Sequence, residues 1–185
     1  MAATLAPPRA TFADLARADG KAELVGGRVV PLMPTGHRPN VLAGRIFRRL
    51  ADHADATNRG VAYTDNMGFA VPPLSTGRES FSPDAAYYTG PVPADAMRFA
   101  PGPPDFAAEV RGENDYGPAA EAALAAKRAE YFEAGTVVVW DVDPVAGVVR
   151  AYRAGAAPVV FGAGQSADAE PTVPGWRLSV DWLMA

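Results

Sequence analysis

The chain has 185 residues, a formal net charge of −4 and no cysteine. The missing cysteines exclude disulfides, cysteine-ligated zinc and thiol nucleophiles, and the acidic balance argues against nucleic-acid binding over the whole surface. The length suits one domain over residues 1–185, with 1–10 as a loose tail.

The first half of the chain predicts two helices, a hairpin and short strands. In order, these are a helix over 12–19, a hairpin over 22–33, a helix over 37–54 that begins after Pro39, and one or two strands within 61–72. Thr11 is a suitable N-cap for the first helix. Gly26 and Gly27 supply the positive φ angles of a two-residue turn in the hairpin.

The second half predicts most of a sheet and one strong helix. In order, these are a strand over 81–88, a proline-rich irregular segment over 90–104, a strand over 104–110, a helix over 117–135, a hairpin of strands over 136–144 and 148–154, and a C-terminal helix within 173–185. The run 136–144 is apolar enough to be buried on both faces of a sheet. The fold class is therefore α/β (α+β), a mixed sheet flanked by helices.

Two acidic side chains fall on predicted strands. Alternation places Glu109 on the same face as the small residue Ala107, and Asp84 on the same face as Ala86. If these strands pair, the two carboxylates approach over one patch of sheet, where they repel unless a cation lies between them. Hard oxygen ligands favour Mg²⁺ or Mn²⁺. The alternative is that both side chains are solvated at a turn and a strand end.

Other polar residues extend this candidate site. Lys127, on the flank of the apolar side of its helix, either extends to water or points across the sheet at the carboxylates. Glu23, at the start of the first hairpin, is either a further metal ligand or a solvated strand residue. An arginine cluster on the second helix is either a solvated face or a contact for a phosphate backbone; it comprises Arg38, Arg45, Arg48 and Arg49.

The segments SPDAAYY, PDFAAEV and K…YFEAGTVVVWDVDP, in this order, resemble the Uma-two family of putative restriction endonucleases in the PD-(D/E)xK nuclease-like superfamily. The likeness extends from AELVGGRVV, through His37, to VPGWRLSVDWL. It implies a restriction-endonuclease-like core with a metal site at Asp84 and Glu109. Glu23 matches the family's N-terminal acidic residue.

The chain departs from the superfamily pattern at residue 111, where arginine replaces the usual lysine. Arginine stays protonated and cannot act as a base, but it can bind phosphate. The resemblance places the lysine on the following helix, at Lys127. We expect Arg111 and His37 to contact substrate.

The leading hypothesis is a Mg²⁺-dependent (or Mn²⁺-dependent) endonuclease that hydrolyses DNA, with Asp84, Glu109 and Lys127 catalytic and Asp84, Glu109 and Glu23 binding metal. One alternative is a non-catalytic module that binds nucleic acid or protein on the same scaffold. Another alternative is a homodimeric structural protein of a mobile or defence locus, since the apolar edge at 158–161 is compatible with a homodimer. With no apolar run of membrane-spanning length and no signal-peptide core, a cytoplasmic protein is expected.

Overall fold

The computed structural model describes residues 8–185. Residues 1–7 of the expected tail lie outside the described residues, and residues 8–10 have no regular secondary structure. None of the helices within the described part of the chain has the length and hydrophobicity needed to cross a lipid bilayer.

Four helices and thirteen strands are found among these residues. The helices are α1 (Phe12–Leu15), α2 (His37–Thr57), α3 (Pro118–Ala134) and α4 (Val180–Met184). The strands are β1 (Ala22–Val25), β2 (Arg28–Pro31), β3 (Val61–Thr64), β4 (Phe69–Ala70), β5 (Ser80–Phe81), β6 (Ala85–Tyr88), β7 (Ala100–Pro101), β8 (Phe106–Val110), β9 (Val138–Asp143), β10 (Val148–Arg153), β11 (Val159–Phe161), β12 (Ser166–Asp168) and β13 (Arg177–Ser179).

A six-stranded sheet forms the centre of the fold, in the order β11-β10-β9-β8-β6-β3. The strands β8 and β9 are parallel and are joined through α3, whereas the other neighbours in the sheet are antiparallel. The smaller sheets are β1-β2, β5-β4-β7 and β12-β13. The prediction of a mixed sheet flanked by helices is confirmed.

Helices pack on both faces of the central sheet, because β8 and β9 carry apolar side chains on both sides. One face packs beneath α2 and α4 and includes Trp140, stacked on Trp176 with ring centroids 5.1 Å apart. The other face packs against α3 and the sheet β5-β4-β7, where Tyr131 stacks on Phe81. All six residues of β9 are buried, as its apolar sequence predicts.

The helix ends follow from local chemistry. Thr11 caps α1, as predicted, and forms a capping box with Asp14. The helix α1 ends earlier than expected, at Leu15. The predicted start of α2 after Pro39 was wrong, because α2 begins at His37, two residues before this proline. A proline in the first turn removes only an N–H that has no partner within the helix, so it does not prevent this earlier start.

The strand prediction over 81–88 was wrong in part, because the segment divides between β5 and β6, which belong to different sheets. Asp84 therefore lies immediately before β6, not inside a strand. The strands β11, β12 and β13 were not predicted, and β7 lies within the segment expected to be irregular. Strands this short give too few residues for alternation to be recognised.

The strand β11 lies at one edge of the central sheet and exposes two valines, Val159 and Val160. An exposed apolar edge strand is a surface on which another chain can pair. The expected homodimer stays a prediction.

Candidate functional site

Asp84 and Glu109 are brought together by the register of β6 and β8. Ala85 pairs with Ala108 and Ala86 with Ala107, so continuing the register by one residue places Asp84 opposite Glu109. Directly opposed residues of an antiparallel pair project from the same face of the sheet. The backbone N–H of Val110 donates to Asp84 Oδ2 at 2.8 Å, which fixes this carboxylate over the end of β8.

Both carboxylates line one open groove of about 510 Å³, which we call the carboxylate groove. Its walls are formed by Lys21, Asp84, Glu109, Val110 and Lys127, by residues 32–36 and Pro39, and by residues 112–115. The N-terminus of α2 and the loop after β8 thus face the two carboxylates. The geometry agrees with the sequence-based expectation that these side chains share one patch of the sheet.

Lys127 points at the carboxylates. Its Nζ lies 2.9 Å from Glu109 Oε1 and 3.4 Å from Glu23 Oε1. The same Glu109 oxygen accepts a 2.6 Å hydrogen bond from the hydroxyl of Tyr131, one turn further along α3. Of the two alternatives for Lys127, the structure shows the second: the ammonium points across the sheet at the carboxylates and does not extend to water.

Burial makes ionisation of Glu109 unfavourable. Burial raises the pKa of Glu109, the ammonium of Lys127 opposes this rise, and the nearby charge of Asp84 adds to it, so that the pKa stays above its ordinary value. The opposite balance holds for Lys127. Burial alone lowers its pKa, but the carboxylates of Glu109 and Glu23 raise it above the ordinary value, which keeps the ammonium charged.

Glu23 is more deeply buried than either carboxylate and has partners on both oxygens. Its Oε1 accepts from the backbone N–H of Ser82 at 3.0 Å, and its Oε2 pairs with Arg78, which also donates to Glu130 at 2.6 Å. Burial raises the pKa of Glu23, but Lys127 and Arg78 hold it below its ordinary value. Its contacts fit an anchor for these two cations; its role as a metal ligand stays a prediction.

Lys21 was missed by the sequence reasoning. Its Nζ lies 3.1 Å from Asp84 Oδ1 and also pairs with Asp65, which follows β3. Two signals were present: Lys21 stands two residues before Glu23, so that both lie on one side of an extended segment, and the chain has only two lysines, Lys21 and Lys127.

Arg111, an expected substrate contact, is buried beside the groove with its guanidinium engaged on both sides. It donates to the two oxygens of Asp141 at 2.6 and 2.7 Å, and it also pairs with Glu121. This bidentate arrangement raises the pKa of Arg111 further above its already high ordinary value. The contacts fit a structural ion pair that joins β8, β9 and α3, and the substrate role stays a prediction.

His37 is the exposed first residue of α2, next to the groove residues Gly36 and Pro39. Three arginines of the α2 cluster, Arg45, Arg48 and Arg49, lie further along the helix, around the ring of Trp182. Part of this cluster is structural, because Arg38 and Arg45 donate to backbone carbonyls of α4 at 2.7 and 2.8 Å.

The donor chemistry of the site fits a hard divalent cation. Within residues 8–185, no group of three or more histidine, aspartate or glutamate side chains is close enough together to hold a metal ion. Two carboxylates are nevertheless sufficient for Mg²⁺, which keeps several waters and takes further oxygens from a phosphate. In the described part of the chain, Glu109 Oε2 has no hydrogen-bond partner, and Asp84 Oδ1 pairs with Lys21 alone.

Comparison with known proteins identifies a family and a similar fold. A family profile described as "Uma2: Putative restriction endonuclease" matches residues 9–181. One similar solved structure is the "Crystal structure of a putative nuclease belonging to DUF820 from Anabaena variabilis ATCC 29413", with 16% identity, a TM-score of 0.72, and coverage of 94% of this chain and 97% of that chain. At this identity the likeness shows a shared fold. Among curated proteins, no sequence matches significantly.

Proposed function

Since the chain belongs to the Uma2 family of putative restriction endonucleases, we propose that it is a Mg²⁺-dependent nuclease that hydrolyses phosphodiester bonds of DNA. The observation that supports this most is the convergence of Asp84 and Glu109 in one groove, each beside a lysine. Mn²⁺ is expected to replace Mg²⁺, because both are hard cations with the same preference for oxygen.

Asp84 and Glu109 would hold the metal ion. When bound, such an ion polarises the phosphate and lowers the pKa of its coordinated water. Asp84 is suited to this role because the Val110 N–H fixes one of its oxygens and leaves the other facing Lys21. Glu109 is similarly oriented by the hydroxyl of Tyr131.

Lys127 stabilises the negative charge that develops on the phosphate oxygens during hydrolysis. Its ammonium is held in place by Glu23 and Glu109, so little reorientation is needed when substrate enters. Lysine has three rotatable donors and can keep a carboxylate contact while it donates to a phosphate oxygen. Glu23 acts in this arrangement as the positioning residue for Lys127.

The test is nicking of supercoiled plasmid with Mg²⁺ by wild type and Asp84→Asn, with Asp95→Asn as the matched control. Asp95 is exposed on the loop before β7, so its substitution changes the same charge away from the groove. Losing one ligand should lower the rate by at least about 10²-fold, whereas Asp95→Asn should match wild type. Equal nicking by wild type and Asp84→Asn would refute the proposed site and identify a contaminant.

The ion pairs favour one other function. Lys21 and Lys127 neutralise the carboxylates without any metal, which suits a non-catalytic module that binds nucleic acid or protein. Calorimetry separates the two functions: retained DNA or protein binding with no heat of Mg²⁺ or Mn²⁺ binding would favour the non-catalytic module.

A further inference from the structure

Both lysines of the chain lie in the carboxylate groove, although arginine supplies positive charge elsewhere. The chain has 17 basic residues, of which only Lys21 and Lys127 are lysines. Lys127 contacts Glu109 and Lys21 contacts Asp84, so the two ammonium groups flank the carboxylate pair. Arginine holds its partners through a rigid planar arrangement of donors, whereas lysine is a compact charge with three rotatable donors. A lysine can therefore exchange one hydrogen-bond partner for another more easily.

The position of Lys21 sets up a competition at Asp84. Asp84 Oδ2 is fixed by the Val110 N–H, so Oδ1 is the oxygen available to a metal, and this oxygen pairs with Lys21. Asp65 holds Lys21 as well, from the end of the neighbouring strand β3. When a cation takes Oδ1, Asp65 can therefore retain the ammonium in the groove, with its other donors free for a new acceptor.

We propose that Lys21 is a second phosphate-binding residue of this site: it neutralises Asp84 before metal binds, and it then donates to a phosphate oxygen of the substrate. This inference rests on the proposed nuclease function. Lys21 enters from the β1-β2 hairpin side and Lys127 from α3, so a phosphate over the carboxylates is contacted from two sides.

The proposal predicts effects of opposite sign for Lys21→Met. Methionine keeps a chain of similar length without the charge, and this removes the competitor at Asp84. Mn²⁺ should therefore bind severalfold more tightly by calorimetry, because attraction to the carboxylates is no longer opposed by the ammonium. The kcat/KM for plasmid nicking should fall by about 10²-fold, the usual effect of removing one donor to a developing charge.

Two further variants, Lys21→Arg and Asp65→Asn, serve as controls for Lys21→Met. Lys21→Arg keeps the charge and should restore a substantial part of the nicking lost in Lys21→Met. Asp65→Asn removes only the second partner of Lys21 and should lower nicking less than Lys21→Met does. If Lys21 merely holds Asp84 in place, Lys21→Met should instead weaken Mn²⁺ binding and lower activity together.

A spectroscopic readout independent of turnover uses the two lysines directly. Lysine labelled with ¹³C at Cε gives two resonances from this chain, and Lys21→Met assigns them. Titration with Mg²⁺ should shift the Lys21 resonance, and a non-cleavable phosphorothioate oligonucleotide added afterwards should shift it again. A Lys21 resonance that does not respond to the oligonucleotide would overturn the proposal.

The possible results distinguish a failure of the Lys21 proposal from a failure of the proposed nuclease function. Wild-type nicking that Asp84→Asn abolishes, together with wild-type nicking rates in Lys21→Met, overturns only the role of Lys21. Weaker Mn²⁺ binding by Lys21→Met also overturns that role alone. Absence of Mg²⁺-dependent nicking by wild type overturns both.

Discussion

Replacing Arg111 with methionine should destabilise the fold through Asp141. Arg111 and Asp141 are 4% and 3% exposed, and the guanidinium donates to both carboxylate oxygens. Without it, Asp141 is left with Arg128, whose nearest nitrogen is 3.6 Å away. Removing one partner of a buried pair costs about 3–5 kcal/mol, and the remaining Arg128 favours the lower end, about 3 kcal/mol.

For a domain of this size, each kcal/mol corresponds to about 2–4 °C in Tm, so Arg111→Met should lower Tm by about 6–12 °C. Thermal and urea unfolding, followed by circular dichroism, measure this directly. The control is Arg177→Met, because Arg177 is 63% exposed and lies 3.9 Å from Asp168. Such an exposed pair contributes little, and Tm should stay close to that of wild type.

The same experiment distinguishes the structural role of Arg111 from the substrate contact expected from the sequence. A wild-type Tm for Arg111→Met, combined with weakened DNA binding, would refute the structural reasoning. Arg111→Lys sharpens the result, because lysine keeps the charge but cannot reproduce the two parallel hydrogen bonds to Asp141. A Tm between those of wild type and Arg111→Met is expected for it.

Three further variants test the electrostatics around Glu109 and Lys127. The pKa of Glu23 is lowered in the folded state, so its ionisation stabilises the fold above the ordinary glutamate pKa, and this contribution is lost as pH falls through the lowered value. As pH falls, the free energy of unfolding of Glu23→Gln should therefore decrease less than that of wild type. An equal decrease in the two proteins would contradict this. Tyr131→Phe removes a hydrogen bond that lowers the pKa of Glu109, so this pKa should rise further. As pH is lowered, Glu109 should then become protonated earlier, and calorimetry should show that Mn²⁺ binding is lost at a higher pH than in wild type. An unchanged pH dependence would show that the hydroxyl is unimportant. Lys127→Met should lower plasmid nicking by about 10²–10³-fold, and an unchanged rate would remove Lys127 from the mechanism.

Alternation in the strands carried enough information to predict the shared face of Asp84 and Glu109. A two-residue period fixes the face of each side chain once two strands pair, and Ala86 and Ala107 supplied small neighbours on that face. The helix α3 was predictable because Pro118 and Gly135 delimit it; Gly135 has a φ of 109°, which favours glycine strongly.

The ion-pair partners could not be predicted in the same way. Arg78 contacts Glu23 and Glu130 across 55 and 52 residues of sequence, and no local pattern specifies such a meeting. The ion pair of Arg111 with Asp141 could not be predicted either. Asp141 lies in the apolar run 136–144, and its sequence indicates only that this strand is buried. Pairings of this kind depend on strand order, which the sequence left open.

The most direct test of the metal site is a crystal structure of the protein with Mn²⁺. We expect an anomalous peak within coordination distance of the carboxylates of Asp84 and Glu109, with the ammonium of Lys21 displaced from Asp84 Oδ1. Saturating Mn²⁺ that gives no peak between these carboxylates, or a peak only elsewhere on the protein, would contradict the metal-dependent nuclease.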